Sequence, residues 1–158
     1  MNSRRTDTAG VIAPPPAIYA GGAALGLLAD HLLGLAPLAG PSGMLWALAG
    51  VAGLAGITCA AAALRLFRRL GTPAEPWKPT RTLARDSIYH VTRNPMYLGM
   101  ALLLLAVALG LRSVGVLAMV PLVVLMIDRF VIAREENYLE TLFGRDYADY
   151  RAQVRRWL

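Results

Sequence analysis

Two short stretches hold most of the polar residues that solvation alone does not explain. TLARDSIYHVTRNPMYLG fills residues 82–99 and DRFVIAREE fills residues 128–136. Pro95 suits the first turn of a helix, where its missing N–H costs nothing. It also pushes Asn94 out of helical geometry, so Asn94 reads as an N-cap. Free backbone N–H groups at such a helix start favour an anion, such as a ligand carboxylate. Gly99, one turn further on, permits close approach of a second backbone or a ligand. The competing reading is an ordinary capped membrane helix with a small-residue packing contact. Glu135 and Glu136 stand where an apolar segment ends. Acids at a helix C-terminus oppose the macrodipole and need another reason to be there, unless the helix continues. On α-helical spacing Arg129, Ile132 and Glu136 share one face, with Asp128 and Glu135 on the next. That pattern fits a solvated, salt-bridged helix. It equally fits a cationic ligand held by a carboxylate, with Arg129 or Arg134 on an opposing anion. Tyr89 and Tyr97 are able to hold a cation or stack on a base, and tyrosines are also common at membrane interfaces. His90 is either a proton carrier or a solvated loop residue. No spacing of His, Cys and carboxylates suggests a metal site, and there is no Gly-rich phosphate loop.

The elements that must position these groups follow from composition. The 158 residues are 56% hydrophobic and 16% charged, with 16 Lys+Arg against 10 Asp+Glu and a net charge of +6. A soluble domain carries about 25% charged residues. Low charge with a basic surplus is the composition of a membrane protein whose charges are confined to loops. It excludes a disordered chain, a nucleic-acid module with a basic polar surface and, with Cys59 alone, a disulfide scaffold. Cys59 lies within an apolar segment and reads as buried and inert. Between Arg5 and Arg65 the only charged residues are Asp7 and Asp30. A spanning helix needs roughly 20 apolar residues. The expected spans are residues 17–36, 44–66, 96–111 and 114–132, the last two a hairpin turning at Arg112. Asp30 and His31 fall at the far end of the first span and read as packing or interfacial residues.

The fold class expected is therefore all-α: one polytopic membrane domain, residues 1–158, with about four transmembrane helices. A polar, proline-bearing loop fills residues 67–95, and residues 133–158 form a tail. Every Lys and Arg except Arg112 falls at the termini or in this loop and its edges. That bias, with the even number of spans, places both termini and the loop in the cytoplasm, at the inner membrane of a bacterium. Arg4-Arg5 resembles an export signal only superficially, because Thr6-Asp7-Thr8 follows and no small-x-small cleavage site appears; the first span is expected to stay. In the tail Leu139, Leu142, Phe143, Tyr147, Tyr150, Val154 and Trp157 recur at helical spacing. This amphipathic helix, bent or broken at Gly144, is expected to anchor on the membrane surface, to wall a site, or both. The hairpin brings Asn94-Pro95 and Asp128-Arg129 to the same membrane level.

From Phe67 onward the chain resembles the membrane methyltransferases that include the isoprenylcysteine carboxyl methyltransferases and phospholipid methyltransferases. Gly71-Thr72 with Pro73, Pro76 and Pro79 is similar to the family's proline-bearing loop. Thr82-Leu83, Tyr89 and then Arg93-Asn94-Pro95-Met96-Tyr97-Leu98-Gly99 resemble its R-[HN]-P-x-Y-x-G signature. Glu135-Glu136, Leu139, Phe143-Gly144, Tyr147 and Tyr150 resemble its E-E…F-G-x-x-Y-x-x-Y ending. The resemblance implies an integral membrane enzyme that uses S-adenosylmethionine. It implies a cofactor pocket of Thr82, Leu83, Tyr89, Asn94, Pro95, Tyr97 and Glu135, with Gly99 and Glu136 as neighbours. It also implies an arginine facing the substrate, for which Arg129 and Arg134 are candidates, so that Arg129, Arg134 and Glu136 form the catalytic set. The partners implied are membrane lipids and a lipid-like or small apolar acceptor carrying a carboxylate, thiol or amine; no nucleic acid is expected. The chain departs from the pattern in two places. Asn94 stands where many members have His, and Asp86-Ser87-Ile88 stands where a Gly often precedes the Tyr. Two other classes compete. Sterol-type reductases using NADPH share R-H-P-x-Y but often carry an acid after the Gly, where this chain has Met100. A non-catalytic packing or recruiting protein is the third.

Overall fold

The fold is taken from a computed structural model that describes residues 10, 13–73, 78, 80 and 82–158. The Arg4-Arg5 pair and the neighbouring Thr6-Asp7-Thr8, together with Pro76, Pro79 and Arg81, lie outside the described residues. Six α-helices follow in order: α1 Pro15–Leu33, α2 Ser42–Leu70, α3 Pro95–Gly110, α4 Val114–Ile127, α5 Ala133–Phe143 and α6 Arg145–Gln153. A 3₁₀ turn, Ser87–His90, precedes α3, and a π turn, Asp128–Ile132, joins α4 to α5. Among the described residues there is no strand. The all-helical expectation holds.

Local chemistry sets most of the boundaries. Pro15 and Pro95 each stand in the first turn of their helices, where a missing N–H is harmless. Gly34 and Gly71 close α1 and α2 in the left-handed conformation, which lacks a Cβ penalty at glycine. Arg68 and Arg69 occupy the last turn of α2, where cations complement the helix dipole. Gly144, at φ +52°, breaks the tail between α5 and α6.

Among the described residues three helices are long and apolar enough to cross a membrane: α1, α2 and the continuous run Val114–Phe143 that contains α4 and α5. The shorter α3, 16 residues, reaches only about 24 Å. Their outer faces are apolar, with Leu25, Leu32, Trp46, Leu54 and Leu122 exposed, as lipid-facing surfaces require.

The helices run up and down, giving two ends. The turn end holds the α1–α2 and α3–α4 connections; the tail end holds the α2–α3 loop, α5 and α6. α2 packs chiefly on α3, and α1 chiefly on α4. Both contacts are backbone-close at glycine. A Cβ on Gly99 would lie 2.7 Å from the carbonyl oxygen of Gly56, and one on Gly26 2.6 Å from the backbone of Val116. Small residues let helix backbones meet where lipid gives no hydrophobic drive.

At the turn end the charged residues bind the connections together. Asp30 accepts from Ser113 Oγ and, at 2.7 Å, from Gly115 N, at the start of α4. Arg112 donates through Nε and Nη2 to the Leu38 carbonyl at 3.1 and 2.7 Å, and through Nη1 to Ser42 Oγ at 3.2 Å. Asp30 is thus a packing residue that also stabilises a helix N-terminus.

Candidate functional site

A hollow of about 1040 Å³, measured with its open mouth, lies at the tail end. Every tail-end element contributes a wall. α1 supplies Pro15 and Pro16, α2 Phe67, the loop Thr82, Leu83 and Tyr89, α3 and its cap Asn94, Met96, Tyr97 and Met100, α5 Glu135, Glu136 and Leu139, and α6 Tyr147 and Tyr150. Seven of the residues expected at a cofactor or substrate site therefore share one cavity: Thr82, Leu83, Tyr89, Asn94, Tyr97, Glu135 and Glu136.

The remaining four lie elsewhere. Pro95 is buried at the start of α3 and Gly99 faces α2 through Gly56, the packing alternative of the sequence. Arg134 is exposed and donates to the Gly10 carbonyl at 2.9 Å. The Arg129 side chain is 70% exposed, with Asp128 at 3.7 Å. The physical reason is the π turn. An α-helix brings residues 129, 132 and 136 to one face, but the wider i→i+5 turn shifts that register. Ile132 and Glu136 are buried while Arg129 faces outward.

The arginines that reach the acids are Arg93 and Arg156. Arg93 Nη1 stands 2.9 Å from Glu136 Oε1 and donates to Tyr147 Oη at 3.2 Å. Arg156 donates from Nε to Glu136 Oε1 at 3.1 Å, from Nη2 to Glu136 Oε2, and from Nη1 to both oxygens of Asp128 at 3.2 and 3.1 Å. Glu136, only 7% exposed, is thereby paired with two cations. A buried carboxylate requires this. Glu135 differs. Its hydrogen bond comes from a neutral donor, Tyr97 Oη to Oε2 at 2.8 Å, and Tyr97 is itself fixed by Tyr19 Oη donating to its carbonyl at 2.9 Å.

Asn94 occupies the N-cap position of α3, but its side chain caps nothing. Its Nδ2 donates instead to the Arg156 carbonyl at 2.9 Å. Tyr89 packs edge-on to Phe67 at 5.8 Å and its carbonyl accepts from Tyr150 Oη at 2.8 Å. His90 is exposed, near Asp86 at 3.9 Å, and is not among the residues lining the hollow.

Burial decides the protonation of the tyrosines. It pushes Tyr147 up to about 12 and raises Tyr89 and Tyr150 further above the ordinary range. All three are neutral donors at physiological pH. The hydrogen bond to Glu136 raises Arg156 above its already high value, so it stays charged. Within the cavity, then, stand aromatic and apolar walls, neutral hydroxyls, one carboxylate whose hydrogen bond comes from a neutral phenol, and a second carboxylate held by arginines. Among the described residues one donor remains over: Arg93 Nε is buried without a hydrogen-bond partner. Among the described residues no three His, Cys, Asp or Glu side chains gather as metal ligands would. The hollow thus sets carboxylate, guanidinium and hydroxyl groups among aromatic and apolar walls.

Arg93 was visible in the sequence as part of R-N-P-M-Y-L-G, and Tyr147 and Tyr150 as part of the tail's apolar face. Nothing in the sequence singles out Arg156 from Arg151 or Arg155.

Comparison with known proteins adds three findings. The model of the phospholipid methyltransferase family matches residues 45–146. That stretch runs from α2 to the start of α6 and includes most of the cavity wall. An uncharacterized protein of Haemophilus influenzae is 48% identical over 63 residues, which is 40% of this chain and all of the relative. No solved structure matches.

Proposed function

The chain belongs to the phospholipid methyltransferase family, and on that premise we propose that it transfers a methyl group from S-adenosylmethionine to a lipid-like or small apolar acceptor at the cytoplasmic face of a membrane. The observation that carries this reading is the unequal treatment of two adjacent acids: Glu136 is paired with Arg93 and Arg156, while among the described residues Glu135 beside the cavity takes its hydrogen bond from the neutral phenol of Tyr97.

S-adenosylmethionine carries an ammonium and a sulfonium, a carboxylate, ribose hydroxyls and an adenine ring. The residues present fit these groups. Glu135 complements positive charge. Arg93, which lines the cavity, supplies positive charge for the carboxylate. Tyr89, Phe67 and Leu83 offer apolar and aromatic surface for the base. When bound, the sulfonium supplies an activated methyl group for in-line displacement. What the protein contributes is orientation and exclusion of water: Tyr97 holds Glu135 in place, and α5 and α6 wall the cavity. Pro15, Pro16, Met96 and Met100 form an apolar flank where α1 meets α3. The acceptor's hydrocarbon would lie along it, its head group turned inward. The charge distribution supports the orientation, because every Lys and Arg but Arg112 belongs to the tail end or to the termini, as cytoplasmic segments do.

The test is titration of the detergent-purified protein with S-adenosylmethionine. Transfer of labelled methyl to a panel of lipid amines, prenylated thiol carboxylates and small apolar acids follows. Saturable binding and incorporation into one acceptor class is the expected result. A folded protein that binds NADPH and not S-adenosylmethionine would turn the assignment to a reductase, and one that binds neither would turn it to a non-catalytic role.

A further inference from the structure

We propose that Arg156, which does not line the cavity, is a positioning residue that locks three separate pieces of the site into register. Its guanidinium forks onto Glu136 in α5 and reaches both oxygens of Asp128, the first residue of the π turn. These two acids stand at the start of the turn and just beyond its end. A π turn departs from α-helical spacing, so the relative rotation of α4 and α5 is not dictated by an unbroken ladder of i→i+4 bonds. A rigid planar fork spanning both ends fixes that rotation. The third piece is the turn before α3. The Arg156 carbonyl accepts from Thr92 Oγ1 at 3.1 Å and from Asn94 Nδ2 at 2.9 Å, and the Arg155 carbonyl accepts from Arg93 N at 3.0 Å. Trp157 Nε1 adds a bond to Asp128 Oδ1 at 2.9 Å.

The residues so held are the ones that matter to a ligand. Arg93, Asn94 and Glu136 line the cavity, and Asp128 and Arg156 do not. Arg156 also sets the charge balance. Without it Arg93 is the one cation left to Glu136, and the pair is free to swing as a unit, carrying Arg93 away from the ligand. The family's matching stretch ends at residue 146, ten residues short of Arg156.

The proposal rests on the methyltransferase reading for its consequence but not for its geometry, and two measurements keep the failures apart. The first needs no ligand: amide hydrogen exchange of the full chain in detergent. Arg156→Gln should raise exchange at Arg93, whose N–H is tied to the tail, by about tenfold, leaving the packed middle of α2 and α3 unchanged. The second is S-adenosylmethionine affinity. Arg156→Gln should weaken it about tenfold and Asp128→Asn about threefold, and the double variant should be no worse than Arg156→Gln alone, because both break one linkage. Arg156→Lys, a point charge without the fork, should fall between wild type and Arg156→Gln in both readouts. Wild-type exchange and affinity in Arg156→Gln would mark the contacts as an ordinary surface pair and overturn the proposal. So would a lowered melting temperature with both readouts unchanged. If wild type binds no S-adenosylmethionine, the methyltransferase reading fails and the exchange measurement still decides whether the lock exists. If Arg156→Gln does not fold, Arg156→Lys and Asp128→Asn decide it by the same criteria.

Discussion

Both ends of the bundle hold charged side chains against the packed helices, and they treat them differently. At the turn end Asp30 is matched by Ser113 Oγ and Gly115 N, and Arg112 by the Leu38 carbonyl and Ser42. Each polar group answers another across a connection. At the tail end the acids and arginines are more numerous and the matching is incomplete. Glu136 has two cations, Glu135 has a neutral phenol, and Arg93 Nε has no partner. A buried polar group left short costs free energy, about 1–3 kcal/mol. Among the described residues that deficit falls on a side chain in the wall of the hollow. The turn end shows such residues closing a joint; the tail end shows them holding a place open.

The contrast can be broken from either side. The largest effect is expected at Glu135. Glu135→Gln keeps the shape and removes the charge offered to the ligand, and should weaken S-adenosylmethionine binding by about a hundredfold, roughly 3 kcal/mol, with the melting temperature held or raised. Titration calorimetry reads the first and a thermal melt the second; a stability loss without a binding loss would make Glu135 a structural acid like Asp30. Asp30→Ala should do the opposite. It strips the acceptor from Ser113 and from the start of α4, costing about 2 kcal/mol of stability, while the affinity of the folded fraction stays at the wild-type value. Gly99→Ala tests which side that glycine serves. Its Cβ would meet the Gly56 carbonyl at 2.7 Å, so α2 and α3 must part, at about 1–2 kcal/mol. A melt should show that loss with affinity falling less than threefold; a collapse of binding with unchanged stability would return Gly99 to the ligand. The smallest effects belong to Arg129→Ala and Arg134→Ala, both off the cavity wall. Each should change stability by under about 0.5 kcal/mol and leave methyl incorporation within about twofold of wild type, which a labelled-methyl assay would check.

The sequence was legible where one residue type forces one local geometry. Uncharged apolar runs marked the helices, Gly144 marked the break in the tail, and Asn94-Pro95 marked the start of α3. The site was legible where a motif concentrates it: Tyr97 and Glu135, 38 positions apart, meet at 2.8 Å. What stayed hidden depends on tertiary register. Residues 128–132 carry no glycine and no proline to mark a π turn. Counting in α-helical steps therefore put Arg129 beside Glu136, and the turn moved it out. Arg156 was hidden for a different reason. It lies 20 positions beyond Glu136 and past the break at Gly144, and no periodicity carries across a break. Asp30 was read as packing, but its partners at Ser113 and Gly115 become visible only once α1 is laid against α4.

The length of α2 has a consequence for how such a site meets its lipid. At 29 residues it is about 43 Å long, and a bilayer's hydrocarbon layer is about 30 Å. The overhang carries Phe67, one wall of the cavity, toward the phospholipid heads rather than the acyl chains. α2 acts as a ruler: it sets the height of the chamber relative to the apolar stretch of the bundle. Because mismatch is absorbed by tilt at a fraction of a kcal/mol per ångström, membranes of unequal thickness would set the chamber at different depths.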